Sequence, residues 1–141
     1  MAELYGIAGK IARVDLSKGT VTVVEPPVEV YKKFLGGSAL GVYFLYKEGV
    51  VDPGVKPFDA ANMVQFLIGP VTGIGPNARS TIVTKSAYNF ITIATSGGRA
   101  AAELKFAGWD GIQIVGKSDK PVYIEVIDDK VSIKDASHLW G

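Results

Sequence analysis

The chain has 141 residues, 48% of them hydrophobic and 21% charged, with 15 Lys and Arg against 14 Asp and Glu; this suffices for a single domain over residues 1–141 with its own core, and leaves no broad field to recruit nucleic acid or an anionic membrane. No cysteine occurs, so disulfides, thiolate zinc sites, iron–sulfur ligation and thiol nucleophiles are excluded, and a single histidine, His138, argues against a histidine metal site. No apolar run reaches the ~20 residues that span a bilayer and the first six residues lack a secretory pattern, which predicts a cytoplasmic protein.

In chain order, residues 10–16 place Ala12, Val14 and Leu16 on one face, and with the turn Ser17-Lys18-Gly19 and the run 20–25 they predict a β-hairpin that Pro26-Pro27 ends. Residues 28–35 read as a short helix burying Val28, Tyr31 and Leu35, stopped by Gly36-Gly37. A second helix over 38–47, capped by Ser38, is apolar nearly all round and is expected to be deeply buried. Residues 63–68 form an almost unbroken apolar run, the signature of a strand covered on both faces.

Residues 73–78, Gly-Ile-Gly-Pro-Asn-Ala, satisfy the letter of the dinucleotide fingerprint. The following stretch, 79–85, reads as a strand where that motif needs a helix, so a nucleotide-binding enzyme would require the region after Ala78 to be helical. Next come a strand over 90–94, a bend Thr95-Ser96-Gly97-Gly98, and a helix over 99–106 closed by Gly108. Two glycines at a strand-to-helix bend allow close approach by another molecule just where a helix offers unpaired N–H groups and partial positive charge, making the bend an anion-site candidate.

Strands at 111–115, 122–127 and 131–134 follow, with Asp128-Asp129 as a hairpin turn rather than an acid/base pair. Lys85 and Lys105 are expected to be solvated, Phe106, Trp109 and Tyr123 to be core, and His138 to be an ordinary residue of a helix beginning at 135–141, where the chain looks cut short. Eight or nine strands with three helices and no regular βαβ alternation place the chain in the α+β class, strand-rich with antiparallel or mixed sheets.

The order of Gly69-Pro70-Val71-Thr72-Gly73, Arg79, Val83-Thr84-Lys85-Ser86, Ser96-Gly97-Gly98, Ala102 through Asp110, and Asp135 through Gly141 resembles the N-terminal domain of the tungsten-containing aldehyde ferredoxin oxidoreductases. The resemblance implies half or more of a duplicated α+β domain that forms the base for a tungsten or molybdenum ion held by two pterin dithiolenes. Such enzymes oxidise aldehydes to carboxylic acids and pass electrons through a [4Fe–4S] cluster to ferredoxin. It further implies that Arg79 lies between pterin phosphate and cluster, and that Thr95, Ser96, Gly97 and Gly98 run along the pterin, with the Thr95 main-chain oxygen on a magnesium ion joining the pterin phosphates.

Three positions depart from the family pattern: Thr95 stands in place of Asn, Ser38 in place of Arg, and Arg99 in place of an aromatic residue. The cluster cysteines are absent from this sequence. The expectation is therefore a cofactor-base domain inactive as an isolated chain, requiring the remainder of the oxidoreductase. The alternative is a non-catalytic homo-oligomeric module in which a second copy replaces the missing repeat.

Overall fold

The computed structural model describes residues 4–140, and the expectations touching Met1, Ala2, Glu3 and Gly141 lie outside them. In chain order, β1 (Ile11–Asp15) and β2 (Thr20–Val24) form the expected hairpin, followed by α1 (Val28–Phe34) and α2 (Gly37–Lys47). Then come β3 (Met63–Ile68), β4 (Ser80–Lys85), β5 (Ile91–Ser96), α3 (Ala100–Phe106), β6 (Gly111–Val115), β7 (Val122–Ile127) and β8 (Lys130–Asp135). One 3-10 turn, Ser137–Leu139, contains His138. The class is α+β.

Six strands form a mixed sheet in the order β2-β1-β6-β3-β4-β5, in which only the β1–β6 pair is parallel. Strands β7 and β8 make a separate two-stranded ribbon. Because side chains alternate along a strand, Ile11, Met63, Leu67 and Val83 share the face that α1 and α2 cover. With Tyr31, Leu40, Phe44, Leu45 and Val50 they make the hydrophobic core.

That face also seals two polar side chains. Gln65 and Gln113 are register partners in β3 and β6, both fully buried. Gln65 Nε2 donates to the Gly41 carbonyl at 2.9 Å, and Gln113 Nε2 donates to Gln65 Oε1 at 3.1 Å, so the pair stitches the sheet to α2.

The opposite face is unevenly covered, sealed at Ala12, Val14 and Ile68 but open between them and the ribbon. Leu16, Phe66, Ile112 and Ile114 meet Val122 and Ile124 of the ribbon across an open apolar cleft of about 410 Å³. Strand β3 is therefore sealed along one face but on the other only at Ile68, short of what its apolar run predicts, and Phe66 keeps 37% exposure. Trp109 is core as expected; its indole N–H donates to the Asp128 carbonyl at 3.2 Å and pins the tip of the ribbon. Asp128 takes φ 51° in the predicted hairpin turn.

Several burial expectations fail for one reason: a strong apolar pattern does not say how many neighbours arrive. Helix α2 buries Leu40, Gly41, Phe44 and Leu45 but leaves Tyr46 largely exposed, and its N-cap is Gly36, not Ser38. Leu35 lies outside α1 and is exposed, as are Phe106 and, in part, Tyr123. Conversely Lys85 and Lys105 are not solvated. Lys85 is buried with its ammonium on the Asp52 carbonyl, and Lys105 is drawn inward by a carboxylate.

Candidate functional site

The register of the sheet brings one end of four strands into line. Leu67 pairs with Gly111, Ile68 with Ser80, and Ser80 with Ser96. The end of β3, the start of β4, the end of β5 and the start of β6 are thus neighbours, spaced by about 4.8 Å per strand. Arg79 immediately precedes Ser80 and Gly97 immediately follows Ser96, so these two residues leave the ladder side by side. Thr95 pairs with Thr81, one step further in.

Arg79 is exposed, and its guanidinium has no hydrogen-bond or ion-pair partner among the described residues. The other two arginines are paired, Arg13 with Glu48 in a bidentate contact and Arg99 with Glu103 along α3. The Arg79 backbone is held from behind: its carbonyl accepts from Thr72 Oγ1 at 3.4 Å, while that same oxygen accepts from the Gly69 N–H at 3.2 Å. Thr72 is nearly buried. Nothing in the local pattern of the 69–78 loop marks it as a support.

Region 79–85 is a strand over Ser80–Lys85, which removes the nucleotide-binding reading of 73–78. Gly98 adopts φ 103°, a conformation that side-chain-bearing residues avoid, and this bends the chain from β5 into α3. Gly97 needs no such conformation. A Cβ added at either glycine would meet no atom within 4 Å, so the chain's own packing does not require the absence of a side chain at Gly97.

Helix α3 starts without a side-chain cap and its first-turn N–H groups have no intrahelical acceptor. It ends in a Schellman motif, with Trp109 N–H on the Leu104 carbonyl, Gly108 N–H on the Lys105 carbonyl, and Gly108 at φ 81°. The site thus offers backbone donors, a free guanidinium and empty space at one corner of the sheet. No cluster of three or more His, Cys, Asp or Glu side chains that could hold a metal exists among the described residues. No helix among the described residues is long and apolar enough to cross a membrane.

A residue that sequence reasoning passed over sits at the same end of the sheet. Asp110, 2% exposed, precedes β6 and gathers donors from the N-terminal segment, α1 and α3. Its contact with Tyr31 and the burial of that phenol push the Tyr31 pKa upward, burial being the larger cause. The sequence contains only a faint sign of this, an acidic residue between Trp109 and Gly111 at the start of an apolar strand.

Comparison with known proteins places this architecture. Residues 11–141 match the family model for the aldehyde ferredoxin oxidoreductase N-terminal domain. The chain is 49% identical to a tungsten-containing aldehyde ferredoxin oxidoreductase of Thermococcus kodakarensis, over 98% of this chain and 23% of that protein. It is 41% identical to an aliphatic sulfonate oxidoreductase, WOR-like subunit, of Pyrococcus furiosus, over 98% of this chain and 22% of that one. Among solved structures, the active-site complex BamBC of benzoyl coenzyme A reductase, bound to 1,5-dienoyl-CoA, superposes with a TM-score of 0.91 at 35% identity, over 97% of this chain and 21% of that chain. The chain therefore spans less than a quarter of the length of these relatives.

Proposed function

This chain belongs to the aldehyde ferredoxin oxidoreductase family, as a counterpart of its N-terminal domain, and from that premise we propose that it is one cofactor-base domain for a bis-pterin tungsten or molybdenum centre. The observation that carries the reading is the register pair Ser80↔Ser96, which sets the unpaired Arg79 beside the open turn at Gly97 and Gly98. A guanidinium keeps its charge at any physiological pH and presents a planar fork of donors to phosphate oxygens. Exposed backbone N–H groups at the glycine bend supply neutral donors to the same anion, and the missing Cβ at Gly97 lets a flat ring system come against the main chain.

In this reading Arg79 and the N–H groups around Ser96, Gly97 and Gly98 hold the phosphate end of the pterin. The Thr95 main-chain oxygen would be a ligand for a magnesium ion of such a cofactor. A main-chain ligand is indifferent to Thr standing at that position. When bound, the metal supplies the two-electron redox chemistry; the residues of this chain bind and orient. A [4Fe–4S] cluster cannot be ligated by thiolates of a chain without cysteine, so the cluster, the proton-handling groups and the ferredoxin contact belong to other parts of the enzyme.

The relatives support a division of labour. Proteins named for an aldehyde, a sulfonate and a benzoyl coenzyme A substrate share this one unit. The substrate is then chosen outside it, and aldehyde oxidation to a carboxylic acid with ferredoxin as acceptor is the reading that the most similar names favour. Expression with tungstate, anaerobic purification, metal analysis and pterin fluorescence test the proposal. Tungsten, magnesium and pterin are expected on the parent chain and are expected to fall at least tenfold in Arg79→Gln. A parent chain free of pterin under these conditions overturns it, and turnover of aldehyde with a viologen dye by this chain alone overturns the claim that the chemistry lies elsewhere.

A second reading draws on the uncovered edge. All six residues of β5 are exposed, and Ile93 with Phe34, Val42, Tyr43 and Tyr46 lines an apolar groove. A homo-oligomeric module would cover this surface with a second copy. Light scattering at high concentration separates the two, a monodisperse monomer counting against the module.

A further inference from the structure

Asp110 uses its full acceptor capacity. Oδ1 accepts from the Ala8 N–H and from Lys105 Nζ, each at 2.9 Å. Oδ2 accepts from the Gly9 N–H at 2.7 Å and the Tyr31 hydroxyl at 2.9 Å. Its backbone is engaged as well, its N–H donating to the Lys10 carbonyl and its carbonyl accepting from the Ile68 N–H. A buried carboxylate is tolerated when a cation pairs with it and its lone pairs are filled, and both conditions hold.

The four donors to the Asp110 carboxylate, two backbone N–H groups and two side chains, are not equivalent. Ala8 and Gly9 lead through Lys10 into β1, and Tyr31 lies in the core, so their places are set by the sheet and the core. Lys105 belongs to α3, a helix of seven residues in which only Ala101 is buried. Two turns with so little packing have no stability of their own; such a helix stays where its ends are held. At its C-terminal end the ammonium of Lys105, whose side chain is 14% exposed, bridges Asp110 at 2.9 Å and the Gly6 carbonyl at 2.8 Å. At its N-terminal end it continues into Gly98 with no cap.

We propose that the Lys105–Asp110 ion pair is the positioning device for the 96–98 turn, fixing α3 to the start of β6 so that the turn stays beside Arg79. The consequence for cofactor binding rests on the function proposed above; the positioning itself does not. Asp110→Asn would set an amide against four donors and endanger folding, so Lys105→Met is the informative variant, with Tyr31→Phe as its contrast. Each deletes one donor to Asp110, but only Lys105 is attached to α3.

Amide hydrogen exchange on the full chain reads the effect. In Lys105→Met, the hydrogen-bonded amides of α3 over residues 103–107 should exchange about tenfold faster, the size expected from losing one hydrogen bond to a charged group, while β1 and β6 stay as in the parent. Lys105→Arg should restore most of the protection, and Tyr31→Phe should leave residues 103–107 unchanged. Exchange within twofold of the parent in Lys105→Met, or an equal rise in Tyr31→Phe, overturns the proposal. Pterin content on the same proteins keeps the two ideas apart: fast exchange in Lys105→Met with no pterin even on the parent discards the cofactor reading and retains the positioning role.

Discussion

Strand β6 lies between β1 and β3 with Gly111 and Gln113 sealed from solvent, while β5, three places along the same sheet, exposes every one of its six residues. At β6 each choice of residue answers to a neighbour: glycine where Leu67 and Phe66 press close, glutamine where Gln65 waits across the ladder. At β5 and the turn after it, the chain's own contacts make few demands. Glycine at position 97 and an unpaired arginine at 79 are unexplained by folding, and residues unexplained by folding are where binding is to be sought.

Three substitutions sharpen this contrast. The largest effect is expected from Gly111→Ala, whose new Cβ would lie 2.4 Å from Leu67 Cδ2 and 2.6 Å from the Phe66 carbonyl oxygen. The side chain could move, but the backbone oxygen in a central strand cannot, so a loss of ~3 kcal/mol or more is expected in urea denaturation. Should the variant be as stable as the parent, the centre of the sheet is looser than its register implies.

Tyr31→Phe comes next, at ~1–2 kcal/mol near neutral pH, for the loss of a hydrogen bond to a buried carboxylate. It also carries a pH signature. The folded state holds the Tyr31 proton more tightly than the unfolded state does, so above the ordinary tyrosine value of about 10 the unfolded chain releases a proton that the folded chain keeps. The Tyr31 contribution is therefore complete below that pH and declines as the pH climbs above it. Denaturation midpoints from neutral to strongly alkaline pH should fall more steeply for the parent than for Tyr31→Phe; parallel curves would show that the phenol is not held as described.

The smallest effect on stability is expected at the edge. Gly97→Ala adds a methyl group to open space at a residue without a positive φ, so denaturation should shift by no more than ~0.5 kcal/mol. Pterin retention should nevertheless fall sharply, because the methyl group occupies the approach to the main chain. Loss of stability here, or undiminished pterin, would erase the distinction between the two regions.

The secondary structure was largely legible. Strand β3 falls where its apolar run lies, α1 between the prolines and the paired glycines, and β4 where a helix was required by the rival motif. The candidate site was legible in part, because glycine at a strand-to-helix bend has a local physical reason that sequence displays. The Asp110 hub was not, since its donors at residues 8, 9, 31 and 105 are scattered along the chain and no spacing rule connects them. Nor were the buried Lys85 and the partly buried Lys105, whose ammonium partners come from Asp52 and Asp110.

Sequence by itself determined the class of the fold, its family, the absence of thiol chemistry, and the glycine bend, since each follows from composition, periodicity or a run of neighbouring residues. Tertiary structure alone decided that Arg79 and Gly97 leave the sheet together, that one sheet face is packed and the other partly open, and that a buried aspartate gathers donors from the N-terminal segment, α1 and α3. Strand register and long-range hydrogen bonds join residues up to 102 positions apart. Their energies depend on the spatial arrangement of those partners, which local patterns do not encode.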